Sequence, residues 1–595
     1  MRLWISFCIA IVCVFSDAYV GESSGSEIRW WTASALEKVR PYTPAPPGPA
    51  QSVDISAALN EFEPFQIIVR AESDDLAGVR VELSDFAGPG GSVLAKGHAT
   101  VYFQHFLNLS TPSSIEGATG EWPDPLIPAV DRYVGETRKA FPFTVKRGRN
   151  QPIWVEIYVP PKTLPGKYRA TAIISALGRN DARIPINLRV WNFALPSTSS
   201  LVTSFGFNGV TALKQHRGSY TSDEELFHIT GLYAKAALLH RVSTHGGSMT
   251  PPPWSFTGGN LQIDWSRYDQ EVGPLLNGTA LSSKEPLYGA RATSIDLRTE
   301  SSLDTDEKKI LYWREWTRHF KEKGWFDRLF NYVWDEPPLK DYSKVLASGR
   351  IARRADPKLS NLVTAPQHEQ LSEVIDLWVP LINCFEAKPG FAEFCPQIVT
   401  RESRERETHR GKSLWWYQSC ASHGCSGDGG EYFRGWPSYM IDASGTSNRI
   451  MQWLTWSYGI QGELYFSMND SFGRDTDPWD NIFMHGGNGD GTLFYPGRPE
   501  RIGGVSHIPI ESIRLKLIRE GLEDYEYLSL LRRQDPEAAQ FVERCVKKLV
   551  RTTYSWERQP AVLLAVRREL GDELDRRERA AKAGPRALTE TAERR

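Results

Sequence analysis

The chain has 595 residues, with 70 Lys+Arg against 72 Asp+Glu and a formal charge of -2. That balance excludes a nucleic-acid binder or a polybasic membrane-surface protein held by bulk charge. Hydrophobic residues at 41% and charged residues at 24% exclude global disorder. The length calls for two to four domains, or one large barrel with additions.

Arg2 leads into an apolar run over residues 3–15, followed by Ser16, Asp17 and Ala18. This pattern predicts a secretory signal peptide over 1–18 and an exported protein, periplasmic or extracellular. No later stretch reaches the roughly 18 apolar residues of a membrane span. Residues 19–52, rich in Ser, Gly and Pro, read as an extended lead-in.

From 53 to 195, short β-rich runs at 65–70, 99–103, 153–159, 167–174 and 184–191 alternate with turn residues. They predict a β-sandwich. From 196 to 507 the pattern changes. Strand-like runs at 201–207, 241–245, 329–334, 362–365, 375–379, 414–418 and 463–467 alternate with helical stretches, notably 223–239, 306–323 and 339–355. This predicts a (β/α)8 barrel, its third strand unplaced within 280–300, with a doubly wound sheet as the alternative. From 508 to 595 the chain reads as helices packing on the barrel, with Ile513, Leu517 and Leu528 on the facing side, and ends in a frayed charged tail.

The sharpest segment is Phe330-Asn331-Tyr332-Val333-Trp334-Asp335-Glu336-Pro337-Pro338. An apolar strand runs into two carboxylates, and prolines then end it. In a (β/α)8 barrel that strand end lies on the catalytic face; alone, Asp-Glu-Pro is also a common acidic turn. An ordinary retaining glycosidase uses two carboxylates about 5–5.5 Å apart, usually from different strands. Adjacent residues diverge in direction instead. They suit a 2-acetamido sugar, whose own carbonyl oxygen attacks C1. Asp335 would polarise the amide N–H, while Glu336 protonates the leaving oxygen and then deprotonates water.

The chain resembles glycoside hydrolase family 123, the β-N-acetylgalactosaminidases, and the wider group sharing its catalytic domain. The resemblance is carried by Asn60-Glu-Phe-Glu-Pro-Phe-Gln66, Trp122-Pro-Asp-Pro-Leu-Ile-Pro128, Trp154-Val-Glu-Ile-Tyr-Val-Pro160, Val333-Trp-Asp-Glu-Pro337, Asn488-Gly-Asp-Gly-Thr-Leu-Phe-Tyr-Pro-Gly497 and Ile518-Arg-Glu-Gly-Leu-Glu-Asp-Tyr-Glu-Tyr-Leu528. It implies an N-terminal β-sandwich, a (β/α)8 barrel and substrate-assisted retaining hydrolysis, with Asp335 and Glu336 as the catalytic pair.

The aromatic content, 20 Trp, 22 Tyr and 26 Phe, suits stacking on sugar rings as well as a large core. Trp334, Trp416, Tyr417, Trp453, Trp456 and Tyr465 are the candidates to wall a sugar pocket, with Tyr417 or Tyr465 as hydroxyl donor to the acetamido carbonyl. His245, Asn383, Asn469 and Asp470 are candidates for sugar hydroxyls, and Asp490 is a weaker one. Cys420 and Cys425 fit a loop disulfide. A zinc site using His423 matches no standard spacing, and the segment from Asn488 to Gly491 lacks the rest of a calcium loop. No metal or cofactor is expected. Asn108, Asn277 and Asn469 begin glycosylation sequons, meaningful only in a eukaryotic secretory pathway. The expected activity is a secreted exo-β-N-acetylgalactosaminidase acting on a terminal β-linked 2-acetamido sugar. The competing readings are a glycosidase of the same fold acting on another glycan, and a non-catalytic carbohydrate-binding or cell-surface protein.

Overall fold

The computed structural model describes residues 27–48, 52–246, 250–298, 302–392, 394–395, 397–425 and 430–583. The expected signal peptide lies outside the described residues, as does the end of the charged tail.

The N-terminal part is two facing sheets. One is antiparallel throughout, in the order Arg29–Ser34, Glu61–Arg70, Asn150–Val159, Ala99–Leu109, Gly120–Pro128. The other is built on Val53–Leu59, Ala182–Ala194, Gly166–Ser175, Leu76–Leu83 and Phe143–Val145. Between them pack Phe65, Ile67, Val69, Ile153, Val155, Ile157, Ile184 and Ile186. The expected lead-in is in part a strand: Arg29–Ser34 pairs with residues 70 to 65 in register. Its hydrogen bonds run to a neighbour far along the chain, which local composition does not reveal.

Eight parallel strands follow: β1 (Val202–Gly206), β2 (Thr244–His245), β3 (Ile295–Asp296), β4 (Leu329–Trp334), β5 (Ser360–Val363), β6 (Leu377–Trp378), β7 (Ser413–Tyr417) and β8 (Gly462–Tyr465). They neighbour one another in chain order, and β8 pairs back onto β1. This is the barrel and not the doubly wound alternative. Between β2 and β3 side chains bridge the gap: Gly246 N–H donates to Asp296 Oδ1 at 3.1 Å, and Arg298 donates to the Gly246 carbonyl. β3 is two residues long, too short for any periodicity to mark it. Phe330, Leu362, Val379, Trp415, Tyr417 and Leu464 fill the interior.

Around the barrel lie α1 (Asp223–Leu239), α2 (Asp306–Glu322), α3 (Tyr342–Ala355) and α4 (Met451–Ser457). Ser222 and Thr305 cap α1 and α2 with their hydroxyls, and acidic residues fill both first turns. The chain closes with α5 (Ile513–Arg532), α6 (Pro536–Leu549) and α7 (Pro560–Ala583). Ile513, Leu517 and Leu528 are buried as expected, but α5 is not amphipathic. Arg514, Lys516, Arg519, Glu520, Glu523, Asp524 and Glu526 are buried too.

These charges join the sandwich to the barrel. Arg514 pairs with Asp124 at 2.8 Å and Arg519 with Glu156 at 2.8 Å. Arg449 pairs with Asp524 at 2.7 Å, and Arg567 bridges to Glu63 at 2.9 Å. The strand Asn150–Val159 is buried at every position for this reason. Its Ile and Val residues face the sandwich core, while Trp154 joins the barrel-side core and Glu156 meets α5.

Candidate active site

Strand β4 delivers Asp335 and Glu336, both exposed, at the C-terminal end of the barrel. Its register against β5 shifts between Tyr332 and Trp334, and such an irregularity re-aims the side chains beyond it. Glu336 has φ +45°, left-handed for a residue with a Cβ. That conformation costs of order 1–3 kcal/mol and persists only where the surroundings hold it. Here its N–H donates to Thr364 Oγ at 2.6 Å.

Thr364 follows β5, and its hydroxyl donates to Asp335 Oδ1 at 2.9 Å. The Tyr332 hydroxyl donates to the same oxygen at 2.8 Å. Two neutral donors on Oδ1 orient the carboxylate and leave Oδ2 for a donor on a ligand. The Tyr417 hydroxyl donates to Glu336 Oε1. Burial, and then the Glu336 charge, push the Tyr417 phenol well above its ordinary range, so it stays a proton donor. Burial and Asp335 do the same to Tyr332.

His245 ends β2 as expected. Its Nδ1 lies 3.2 Å from Ser204 Oγ, and its ring centroid is 6.3 Å from that of Tyr332. Burial lowers its pKa, against the opposing pull of Asp296 and Asp335. The imidazole thus stands within electrostatic reach of Asp335. Trp334 is half-buried at the strand end and packs on the main core.

The other expected site residues are placed elsewhere. In β7 alternation points Trp415 and Tyr417 into the barrel and Trp416 outward, against Phe385 and Tyr458, with its Nε1–H on Thr455 Oγ at 3.0 Å. Trp453 is buried under α5 and donates to Asp524 Oδ2 at 2.8 Å. Trp456 packs edge-on against Tyr525. Tyr465 also points outward, between Phe205 and Tyr439, and donates to Asp490 Oδ1 at 3.2 Å. Of the two tyrosines left open by the sequence, Tyr417 is the one beside the carboxylates.

Asn469 clamps the loop after β1, donating to the Asn208 carbonyl at 2.9 Å and accepting its N–H at 3.0 Å. It is fully buried, so its sequon is inaccessible in the fold. Asp470 pairs with His485 at 3.0 Å. Asn383 is buried and donates to the His423 carbonyl at 3.2 Å. Asp490 accepts the Ala421 N–H at 3.0 Å, and burial raises its pKa to about 6.

Sequence reasoning missed Thr364 and did not single out Tyr332. Both lie in or at the ends of expected strands, so the rule that barrel strand ends carry chemistry was the available signal. The Cys420–Cys425 disulfide is formed, and a second, Cys384–Cys395, pins the preceding loop. Among the described residues no group of three or more His, Cys, Asp and Glu is placed to hold a metal ion.

Two family models match the chain: the glycoside hydrolase 123 catalytic domain over residues 308–531, and the glycoside hydrolase 123 N-terminal domain over residues 51–176. No curated protein sequence matches the chain. Among solved structures, a family 123 glycoside hydrolase from Clostridium perfringens, described for glycolipid glycan hydrolysis, superposes with a TM-score of 0.67 at 13% identity. The match covers 93% of this chain and 99% of that one. A Bacteroides ovatus GH5 xyloglucanase gives a TM-score of 0.28 at 10% identity, covering 80% of this chain and 98% of that one. The shared fold with the Clostridium perfringens enzyme and the matches to both family domains agree with the site just described, and the chain belongs to glycoside hydrolase family 123.

Proposed function

We propose that the protein is a retaining exo-β-N-acetylgalactosaminidase that uses the substrate's 2-acetamido group as nucleophile. The observation that carries this reading is the division of labour on Asp335. Tyr332 and Thr364 occupy Oδ1, and Oδ2 is left to accept the acetamido N–H. The amide carbonyl oxygen then attacks C1 and the glycosidic C–O bond breaks. Glu336 gives its proton to the leaving oxygen. Water adds to C1, Glu336 takes the water's proton, and the C1–O bond to the acetamido oxygen opens. Two displacements at C1 retain its configuration. Asp335 faces the positive charge of the bicyclic intermediate in both steps.

The substrate class follows from this chemistry: a terminal β-linked 2-acetamido sugar, galactosamine by family. A glycolipid glycan is the natural candidate, since the relative from Clostridium perfringens is described as acting on one. Export is supported by the leader-like residues 1–18 and by two disulfides, which persist in oxidising compartments. Among the described residues no helix is long and apolar enough to cross a membrane.

The test compares aryl N-acetyl-β-galactosaminide, aryl N-acetyl-β-glucosaminide and plain aryl β-galactoside. The first is expected to turn over best and the last hardly at all, and a thiazoline mimic of the intermediate should inhibit strongly. A covalent sugar trapped on any carboxylate, or fast cleavage of the plain galactoside, overturns the reading.

A further inference from the structure

Beside the Cys420–Cys425 loop lies a cavity of about 190 Å³, remote in sequence from the carboxylate pair and reaching across to Ser114 and Glu116 of the sandwich. His423 lines it. Its side chain is buried, at 2% exposure, and neither ring nitrogen has a hydrogen-bond partner among the described residues. Buried polar groups are nearly always paired, so two unpartnered nitrogens on one ring that lines a cavity offer a donor and an acceptor to a ligand. The backbone of His423 is fully used: its N–H donates to the Ser419 carbonyl at 2.7 Å and its carbonyl accepts from Asn383 at 3.2 Å. The loop that carries the ring is thus held in place, with both nitrogens unpartnered among the described residues.

The cavity also tells which chemistry fits. Burial pushes the His423 pKa down to about 3. The ring is therefore neutral, offering one donor and one acceptor. Phe433 and Trp436 stand edge-on to it, with centroids at 6.1 and 5.4 Å. Trp436 spends its N–H on the Tyr432 carbonyl at 3.0 Å and presents only carbon to the cavity. Ser438 and Ser444 each accept a backbone N–H, at 3.2 and 3.1 Å, so their own hydroxyl protons remain to donate. The charged lining groups, Glu116 and Arg558, neutralise each other. An ion has no counter-charge here. A neutral ring carrying adjacent hydroxyls matches the donor, the acceptor and the carbon faces together. The volume lies below the roughly 300–1,000 Å³ of drug-sized sites, which limits the occupant to one small ring.

We propose that this cavity is a second, non-catalytic site for one neutral pyranose unit of a glycan. The disulfide on either side of His423 fixes the loop in the binding shape, which lowers the ordering cost of capture. The inference stands apart from the catalytic reading.

The test uses the full chain carrying Glu336→Gln, with the histidine ring nitrogens labelled for NMR and the His423 signals assigned by their loss in His423→Gln. Galactose, N-acetylgalactosamine and glucose are titrated in turn. At least one is expected to shift the His423 ring signals saturably. Ala443→Phe, which fills the cavity from its half-exposed wall, should weaken that shift at least tenfold. In the otherwise unaltered enzyme it should leave aryl-glycoside turnover within about twofold. Ser438→Ala, which removes one of the two donor hydroxyls, should weaken binding without filling the space. Ring signals unmoved by all three sugars, or a shift that survives Ala443→Phe, overturn the proposal. Loss of the catalytic reading would appear separately, as absent turnover with the His423 shift intact.

Discussion

The Thr364 hydroxyl lies 2.9 Å from Asp335 Oδ1 and donates to it. Thr364 Oγ in turn accepts the Glu336 N–H at 2.6 Å. One side chain on the neighbouring strand thereby sets the rotamer of one carboxylate and the left-handed backbone of the other.

Thr364→Val removes both bonds and keeps the shape. Hydrogen bonds to charged groups are worth about 1.5–3 kcal/mol, so kcat should fall roughly 10–100-fold with little change in KM. Thr364→Ser should restore most of it. Steady-state kinetics on the aryl galactosaminide decide the matter: an unchanged kcat in the valine variant would remove Thr364 from its positioning role.

Glu336→Gln should nearly abolish hydrolysis of substrates with poor leaving groups and spare the first step for activated aryl groups, since only the former need a proton donor. In the proposed mechanism Asp335→Asn loses the charge that faces the cationic intermediate, and a rate loss of roughly 10²–10³ is expected. Equal, mild effects of Glu336→Gln on both leaving groups would dismiss the acid role.

Tyr417→Phe deletes the donor to Glu336 Oε1 while its ring remains in the barrel interior. A fall of about 10–100-fold in kcat is expected, with the unfolding temperature little moved. If stability fell and kcat did not, the hydroxyl would be structural.

Glu463, buried on the outer face of β8, accepts hydrogen bonds from Tyr439 and Gln452, and burial raises its pKa from 4.5 to about 7. Below the lower value both folded and unfolded chains hold the proton. Between the two values only the folded chain does, so this group's stabilising contribution is lost as pH rises through the window and is constant above it. The size is on the order of 1–3 kcal/mol. Thermal unfolding at pH 5 and pH 8 should show a smaller difference for Glu463→Gln than for the parent.

Asp524 holds Arg449 at 2.7 Å, Arg567 at 3.2 Å and the Trp453 N–H at 2.8 Å, all away from water. Asp524→Ala leaves two buried guanidinium groups short of a counter-charge, at a cost of about 3–5 kcal/mol. Calorimetry should register the loss first where α5 joins the barrel to the sandwich, and a variant as stable as the parent would contradict it.

The sequence by itself determined what is local. The run from Phe330 to Pro338 marked a strand ending in two carboxylates because alternation and proline act on neighbours in the chain. The switch from period 2 to β/α units near residue 196 separated sandwich from barrel for the same reason. The resemblance to family 123 rested on segments that the fold gathers around buried pairs such as Arg514–Asp124 and Arg519–Glu156.

Only the tertiary structure decided the rest. Period 2 says that Trp416 and Tyr417 face opposite ways, not which face is the barrel interior, because both faces of a barrel strand are buried. The third strand is two residues long and is defined by its neighbours. Thr364 gained its place beside Asp335 through the pairing of β4 with β5, and Cys384 met Cys395 through a loop fold with no signature of its own. In α5 the sequence marked Ile513, Leu517 and Leu528 as the packing face, but not the fate of its charges. They are buried because their counter-charges arrive from strands hundreds of residues away, and a contact of that separation leaves no periodic trace in the sequence around either partner.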